Sequence, residues 1–282
     1  MDRRQFIRRG VMGAAALAAI EGFVREPRHP VGEEIEIRLK RLPDAFEGFR
    51  IAQISDIHFG PYMDRQGVER GVQLARGMHP DLLVLTGDFV SHSIGKANGL
   101  DGARHAEPCA DVIAQWKDMP KIAILGNHDH WNNADLVAGA LVERNIRVLR
   151  NGSTPIERAG SRLWIAGVDD ALVGLADMPK TLKGIPATEA TVLLAHEPDY
   201  ADYAAKFPVD LQLSGHSHGG QVRIPGVGPI VLPEMAAKYH TGLNRVGEMQ
   251  VYTNWGLGVI TPPVRLLCPA KVTLITLRRS LQ

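Results

Sequence analysis

Five short apolar runs, each ended abruptly by polar residues, constrain the fold of this chain more than any other feature of its sequence. The runs span residues 50–55, 82–86, 122–125, 192–195 and 211–214, and the motifs at their ends are D-x-H, G-D, G-N-H-D, H and G-H-x-H. Stretches with helical apolar periodicity, Gly67 to Met78 and Ala134 to Asn145, separate some of the runs. Strands that alternate with helices predict an α/β fold with a sheet packed between layers. Because ligands gather at the carboxyl ends of such strands, the five motifs are expected to meet at one edge.

Other segments complete this prediction. Ile35, Ile37 and Leu39 alternate with charged residues, which is typical of a half-exposed edge strand. Further strands that would extend or double the sheet are predicted at residues 163–168, 251–254 and 272–277. Residues 91–107, which include His92 and His105, predict a long loop beside the polar edge, either a functional lid or a surface excursion.

The residues in the motifs are of the types that bind metal ions. The D-x-H and G-H-x-H motifs each place two donors on one face of a strand end, because residues i and i+2 share a face. Asp88 follows Gly87 in a tight turn, where its carboxylate can face two ions at once. Each motif alone also fits an ordinary turn or a surface residue, but five in this order favour a metal site with open positions for water and phosphate. The candidate ligands are Asp56, His58, Asp88, Asn127, His196, His216 and His218.

The order of these motifs resembles the calcineurin-like metallophosphoesterase superfamily over roughly residues 50 to 220. The G-N-H-D motif at 126–129 and the G-H-S-H motif at 215–218 are the most specific parts of the resemblance. The resemblance implies a double-sheet α/β sandwich flanked by helices. It also implies two divalent ions bridged by Asp88, the first held by Asp56, His58, Asp88 and His218 and the second by Asp88, Asn127, His196 and His216. Mixed imidazole and carboxylate shells accept Mn, Fe or Zn, so the identity of the ions stays open.

Two further residues receive roles from the resemblance. His128 would not be a ligand; it would contact the phosphate and protonate the leaving oxygen, with Asp129 orienting its ring. The sequence departs from the family at Ser91, where the family often has an acid three residues after the second-motif Asp. This departure concerns the local support of the motif and leaves Asp88 itself in place.

The implied activity is hydrolysis of a phosphodiester or pyrophosphate bond by a metal-bridging hydroxide. A closer resemblance, to bacterial exported phosphodiesterases and UDP-diacylglucosamine hydrolases, implies a cell-envelope or lipid-linked substrate; it rests on residues 51–58, 216–223 and 255–265. A phosphomonoesterase and a non-catalytic metal-binding scaffold are the alternatives. Near-equal numbers of basic and acidic residues, 32 and 31, argue against a nuclease and against stable nucleic-acid binding.

Residues 1–26 are interpreted as a signal segment and linker, and residues 27–282 as one catalytic domain. Arg3 and Arg4 precede an apolar run at 10–20, which resembles a twin-arginine export signal and is too short to span a bilayer. This implies contact with the twin-arginine export machinery and a location in the periplasm or cell envelope, with cleavage or membrane tethering both open. A basic tail on a cytoplasmic protein is the alternative. Export would also permit a disulfide between Cys109 and Cys268, which lie in no C-x-x-C pair.

Several residues beyond the last motif are candidates for substrate contacts. Arg223 and Arg265 either bind phosphate or are ordinary solvated arginines. The apolar residues between Trp255 and Leu267 either belong to the core or line an acyl-chain groove near a membrane. The other candidates in this region are Gln221, Lys238, Tyr239 and His240.

Overall fold

The computed structural model describes residues 21–91 and 101–280, together with the isolated residues Gln5 and Met12. Two six-stranded sheets pack face to face. The first sheet has the spatial order β1 (Val31–Leu39), β14 (Lys271–Arg279), β2 (Arg50–Ile54), β3 (Leu82–Thr86), β4 (Lys121–Ile124) and β5 (Arg147–Val148). The second has the order β12 (Gly242–Val246), β13 (Met249–Thr253), β9 (Leu211–Ser214), β8 (Ala190–Leu194), β7 (Ser161–Gly167) and β6 (Gly152–Arg158).

Helices cover the outer faces of the sandwich. A two-stranded ribbon of β10 (Arg223–Ile224) and β11 (Gly228–Pro229) lies outside both sheets. The helices are α1 (Arg65–Gly77), α2 (Ala106–Ala114), α3 (Asn127–Asn132), α4 (Ala134–Val142), α5 (Met178–Thr181) and α6 (Ala201–Ala204). Short helical turns occur at Glu21–Arg25, Glu26–Arg28, Asp44–Phe46, Ala103–His105, Pro198–Tyr200 and His218–Gly220. The predicted double-sheet sandwich flanked by helices is therefore confirmed.

Burial explains why the central strands of both sheets are mostly apolar. Val84 on the first sheet and Val192 on the second lie in one core between the sheets, while Val68 of α1 and Ile113 of α2 pack against the outer face of the first sheet. Strands β2, β3 and β4 run parallel, as do β7, β8 and β9. Strands covered on both faces have no solvent-facing side, so their sequences do not alternate. Among the described strands, edge strand β1 pairs only with β14, and its burial does alternate, as predicted.

The loop predicted for residues 91–107 is too long at its carboxyl end. A helical turn begins at Ala103, and α2 begins at Ala106. Cys109 and Ile113 of this helix are buried in the core, so tertiary packing outweighs the weak local signal. His92 lies outside the described residues.

Gly22 and Glu26, within the predicted signal segment and linker, contact the folded domain. The Arg265 amide donates to the Gly22 carbonyl at 2.8 Å, and the Glu26 carboxylate accepts the amides of Leu267 and Cys268, each at 2.9 Å. The division into a signal segment with linker and a catalytic domain stays a prediction. Arg3 and Arg4 lie outside the described residues. Within the described ranges, no helix is both long and apolar enough to cross a bilayer.

The two cysteines do not form the disulfide that export would permit. Both are buried free thiols. Cys109 lies in α2 within the core beneath the first sheet, and burial raises the pKa of its thiol. Cys268 lies behind the polar edge, where its thiol donates to the His218 carbonyl at 3.2 Å.

Candidate metal centre

The carboxyl ends of five strands bring the predicted ligands together at one edge of the sandwich. β2, β3 and β4 supply donors from the first sheet, and β8 and β9 supply them from the second. Three groups of side chains have ligand atoms within 4.8 Å of one another: Asp56, His58 and His218; Asp88, His196 and His216; His58, Asp88 and His128. The remaining candidate, Asn127, is buried at the first residue of α3. We refer to this set as the metal centre.

Asp88 lies at the middle of the metal centre. Its Oδ2 atom is 3.5 Å from His58 Nε2 and 3.2 Å from His196 Nε2. Its other oxygen, Oδ1, accepts the His128 amide at 2.8 Å. The backbone therefore holds Oδ1 of Asp88. Oδ2 faces His58 of the first group and His196 of the second.

Two imidazole rings and a carboxylate lie close together in the first group. His58 Nε2 and His218 Nε2 are 3.0 Å apart, and His218 Nε2 is 3.4 Å from Asp56 Oδ1. Burial, reinforced by neighbouring positive charge, holds the pKa of both histidines well below the ordinary value. Burial also raises the pKa of Asp56 to about 6. Neutral imidazole is the form in which histidine binds a metal ion.

The second group is oriented by backbone carbonyls. His196 Nδ1 hydrogen-bonds to the Thr86 carbonyl at 2.7 Å, which leaves Nε2 facing Asp88. His216 Nε2 hydrogen-bonds to the Glu234 carbonyl at 2.8 Å, which leaves Nδ1 for a ligand. Such bonds fix the ring and tautomer of metal-binding histidines. The sequence does not indicate which carbonyls orient these rings, because every residue has a backbone carbonyl.

A buried amide oxygen provides a test of whether a metal ion fits. Asn127 Oδ1 is buried, and it has no hydrogen-bond partner within residues 21–91 and 101–280. Buried polar atoms are nearly always hydrogen-bonded, so an unpartnered oxygen beside imidazole and carboxylate donors fits a cation. The donor set and this oxygen therefore agree with a divalent ion.

Five of the candidate ligands have a left-handed backbone that non-glycine residues rarely adopt. They are Asp56 (φ 50°), His58 (φ 50°), Asp88 (φ 56°), His216 (φ 65°) and His218 (φ 49°). Such conformations cost of order 1–3 kcal/mol each and persist only where the surroundings impose them. Their concentration at a single edge indicates that the backbone is shaped to present side chains to a site.

Asp129 supports the turn that carries Asp88. Its carboxylate accepts the amides of Asp88 (2.9 Å), Phe89 (2.8 Å) and Gly126 (3.0 Å). These bonds supply the support that Ser91 was expected to lack; the Ser91 amide itself bonds to the Phe59 carbonyl. The ring-orienting role of Asp129 stays a prediction, since its recorded bonds run to backbone amides.

His128 lies at the mouth of the metal centre and is partly exposed. Its ring centroid is 4.7 Å from that of His58 and 4.8 Å from that of Trp131. The ring can therefore reach a molecule bound at the centre. His128 is close to His58 and Asp88, so its position fits a metal ligand as well as a general acid. The metal content of a His128 variant distinguishes these two roles.

Arg265 is neither a phosphate-binding residue nor a solvated arginine, so both interpretations from the sequence are wrong. It is fully buried, and its guanidinium donates to the carbonyls of Trp255 (2.8 Å), Gly256 (3.1 Å) and Cys268 (3.1 Å). The same loop braces the Asp56 turn, because the Gly258 amide donates to the Asp56 carbonyl at 2.7 Å. Arginine is usually exposed, so sequence alone does not indicate this buried role.

The other candidate substrate contacts are mostly occupied elsewhere. Arg223 donates to the Gly219 carbonyl at 2.9 Å and stacks on Trp255. Lys238 and Tyr239 both bind Asp202. Within the apolar cluster, Leu257 and Val259 belong to the buried interior, as the core interpretation predicts.

We expect Gly215→Ala to disturb the metal centre. A Cβ atom there would lie 1.8 Å from Ser55 Oγ and 2.2 Å from Asp56 Oδ2. Overpacking of this kind costs about 1–3 kcal/mol, and displacing support around a ligand typically weakens metal affinity about 10–100-fold. Metal titration followed by calorimetry measures the affinity, and urea unfolding measures the stability.

Gly139→Ala in α4 is the matched control. A Cβ atom at Gly139 meets none of the described residues within 4 Å, so this variant should keep wild-type metal affinity. Equal affinities for the two alanine variants would show that the Asp56 turn tolerates displacement.

Comparison with known proteins gives one family match and several relatives along almost the whole chain. Residues 49–220 match the family described as calcineurin-like phosphoesterase. The "Uncharacterized metallophosphoesterase YkuE" of Bacillus subtilis (strain 168) is 34% identical over 290 residues, which covers 99% of both chains. "Phosphodiesterase YaeI" of Escherichia coli (strain K12) is 30% identical and covers 98% of this chain and 99% of its own. A "Transmembrane protein with metallophosphoesterase domain" of Danio rerio is 29% identical over 94% of this chain and 61% of its own.

Proposed function

This chain belongs to the calcineurin-like phosphoesterase family and is a metal-dependent phosphoesterase, and from that premise we propose that it hydrolyses a phosphodiester or pyrophosphate bond with two bound divalent ions. The position of Asp88 Oδ2 between His58 Nε2 and His196 Nε2 is the observation that carries the proposal. A single oxygen that faces donors from both groups suits a bridge between two ions. The relative named as a phosphodiesterase favours a diester over a monoester.

The proposed ligands are those expected from the family pattern. Asp56, His58, Asp88 and His218 would hold one ion, and Asp88, Asn127, His196 and His216 would hold the other. Bound Mn, Fe or Zn ions would supply Lewis acidity, which activates water and offsets charge on the phosphate. The chain itself contributes orientation: the Thr86 and Glu234 carbonyls hold two of the imidazole rings.

His128 is the proposed proton donor to the leaving oxygen. It is less buried than the surrounding ligand candidates, and its ring faces the metal centre through contact with His58. A general acid needs to reach the leaving oxygen within hydrogen-bonding distance, and a partly exposed ring at the mouth can do so. The backbone amide of the same residue holds Asp88 Oδ1, so the acid and the bridging carboxylate are fixed relative to one another.

Activity of separately reconstituted protein tests this function. Metal-free protein is loaded with Mn, Fe or Zn and assayed with bis-p-nitrophenyl phosphate and with p-nitrophenyl phosphate. We expect at least one ion to support turnover, with the diester preferred, and a chelator to remove the activity. Preference for the monoester would contradict the diester assignment, and metal binding without any turnover would favour a scaffold.

Export and a lipid-linked envelope substrate form the finer part of the proposal. The basis for export is the Arg3-Arg4 pair followed by a short apolar run, and the Danio rerio relative is named as a transmembrane protein. The proposed location is the periplasm or cell envelope, at a membrane surface. An Arg3→Lys, Arg4→Lys double variant should accumulate inside the cell; unchanged fractionation would contradict twin-arginine export.

A further inference from the structure

An apolar cavity of about 360 Å³ opens directly beside the metal centre. Ser217 and His218 are among the residues that line it, so the cavity and the first ligand group share His218. Its size lies within the usual range for small-molecule sites. The apolar side chains around it are Val222, Ile230, Val231, Leu232, Ile260 and Val264.

The cavity walls are held in place by a buried glutamine. Gln221 donates from its amide to the carbonyls of Ile260 (3.3 Å) and Pro262 (3.1 Å), and it accepts the Ile260 amide at 2.8 Å. The Ile230 amide donates to the Val222 carbonyl at 3.2 Å, which ties the outer loop to the same frame. The two walls are thus connected by hydrogen bonds without any ligand.

The outer rim of the cavity is apolar and open to solvent. Val231 is 72% exposed, and Ile230 beside it is also exposed. Scattered exposed apolar residues are ordinary, but a contiguous group of them at the mouth of a cavity marks a binding site.

We propose that this cavity binds an alkyl or acyl chain attached to the phosphoester substrate. The inference rests on the proposed function, because the metal centre must bind the phosphate end of the same molecule. A ligand that spans both sites must combine a phosphate with an apolar tail, since the polar centre and the apolar cavity are contiguous at His218. The substrate class is therefore an amphiphilic phosphoester.

The chain's own apolar run is a competing occupant. The Arg265 amide binds the Gly22 carbonyl at 2.8 Å, which places the beginning of the packed chain beside Val264. An alkyl chain is favoured because His218 both lines the cavity and belongs to the first ligand group, so that the tail of a molecule whose phosphate lies at the metal centre has this cavity next to it. The test below includes the competing occupant as an outcome.

A chain-length series tests the cavity directly. Methyl, butyl and octyl p-nitrophenyl phosphate diesters are compared in the metal-loaded full chain, below the concentrations at which they aggregate. We expect kcat/KM to rise about fourfold per methylene until the cavity is filled, as burial of alkyl groups predicts. A flat series in an active enzyme would overturn the cavity proposal and leave the proposed phosphodiesterase function standing.

Two matched variants locate the effect. Val231→Asp places a charge at the rim of the cavity, and Val227→Asp places one at a residue of nearly equal exposure, 75%, that does not line the cavity. We expect Val231→Asp to lower the octyl-to-methyl ratio of kcat/KM by about tenfold or more, since a charge disfavours apolar burial. Val227→Asp should keep the wild-type ratio. Equal ratios in both variants would contradict this location.

A binding measurement separates this proposal from failure of the proposed function. Calorimetry compares octylphosphonate with methylphosphonate on the metal-loaded full chain, and it requires no turnover. Tighter binding of the octyl compound supports the cavity even if no diester is hydrolysed. Equal binding, or photo-crosslinking from position 231 to the chain's own residues 1–20 instead of to the octyl probe, would overturn the proposal.

Discussion

Asp88→Asn is expected to prevent binding of the full pair of metal ions and to lower phosphodiester turnover about a thousandfold or more. Asparagine keeps the shape of the side chain but removes the charge that faces His58 and His196. Burial alone would raise the pKa of Asp88, yet the neighbouring His196 and His128 hold it well below the ordinary value. A metal contributes several kcal/mol to stabilising the transition state, and each 1.36 kcal/mol is about tenfold in rate.

Metal content and turnover are measured on the same Asp88→Asn sample. The control is Asp210→Asn, because Asp210 is also a buried carboxylate but binds Arg41 and the Thr191 amide on the second sheet. The control should lose stability and keep both ions. If Asp88→Asn also retains both ions, Asp88 does not bridge them and the proposed division of ligands is wrong.

His128→Ala is expected to leave metal content unchanged and to slow cleavage of esters with poor leaving groups by about 10²–10⁴-fold. A general acid matters most when the departing oxygen is strongly basic. The loss should therefore be much smaller for p-nitrophenyl esters than for alkyl diesters. Metal analysis together with a series of leaving groups measures both effects.

His130→Ala is the control for this experiment. His130 lies in the same short helix, and its Nε2 pairs with Asp169 Oδ1 at 2.8 Å, so its loss should not change the dependence on leaving group. Equal turnover of poor leaving groups by His128→Ala would remove the acid role. A fall in metal content would instead identify His128 as a ligand, as its grouping with His58 and Asp88 permits.

The strands and the position of the site could be predicted from sequence because their signals are local. Each ligand-bearing strand is a buried apolar run, and each donor follows the end of its run; β3 and β9 were predicted to the residue. The helix at Ala106 was missed, because its small residues become informative only once they pack beneath the sheet.

The supporting structure of the site depends on contacts between distant parts of the chain. The carbonyls that orient His196 and His216 belong to Thr86 and Glu234, and no side-chain pattern indicates them. The buried role of Arg265 requires the fold of the Trp255–Gly258 loop, whose carbonyls accept its donors. The left-handed turns of the ligands likewise follow from packing, since even Asp and His, which adopt positive φ more often than other non-glycine residues, do so uncommonly.

The division of the donors between two sheets has a consequence for biosynthesis. Asp56, His58, Asp88 and Asn127 follow strands of the first sheet, whereas His196, His216 and His218 follow strands of the second and are made much later. A nascent chain that ends just after β4 carries the donors of the first sheet and lacks those of the second. We therefore expect metal binding to occur late in biosynthesis, only after the second sheet has closed on the first.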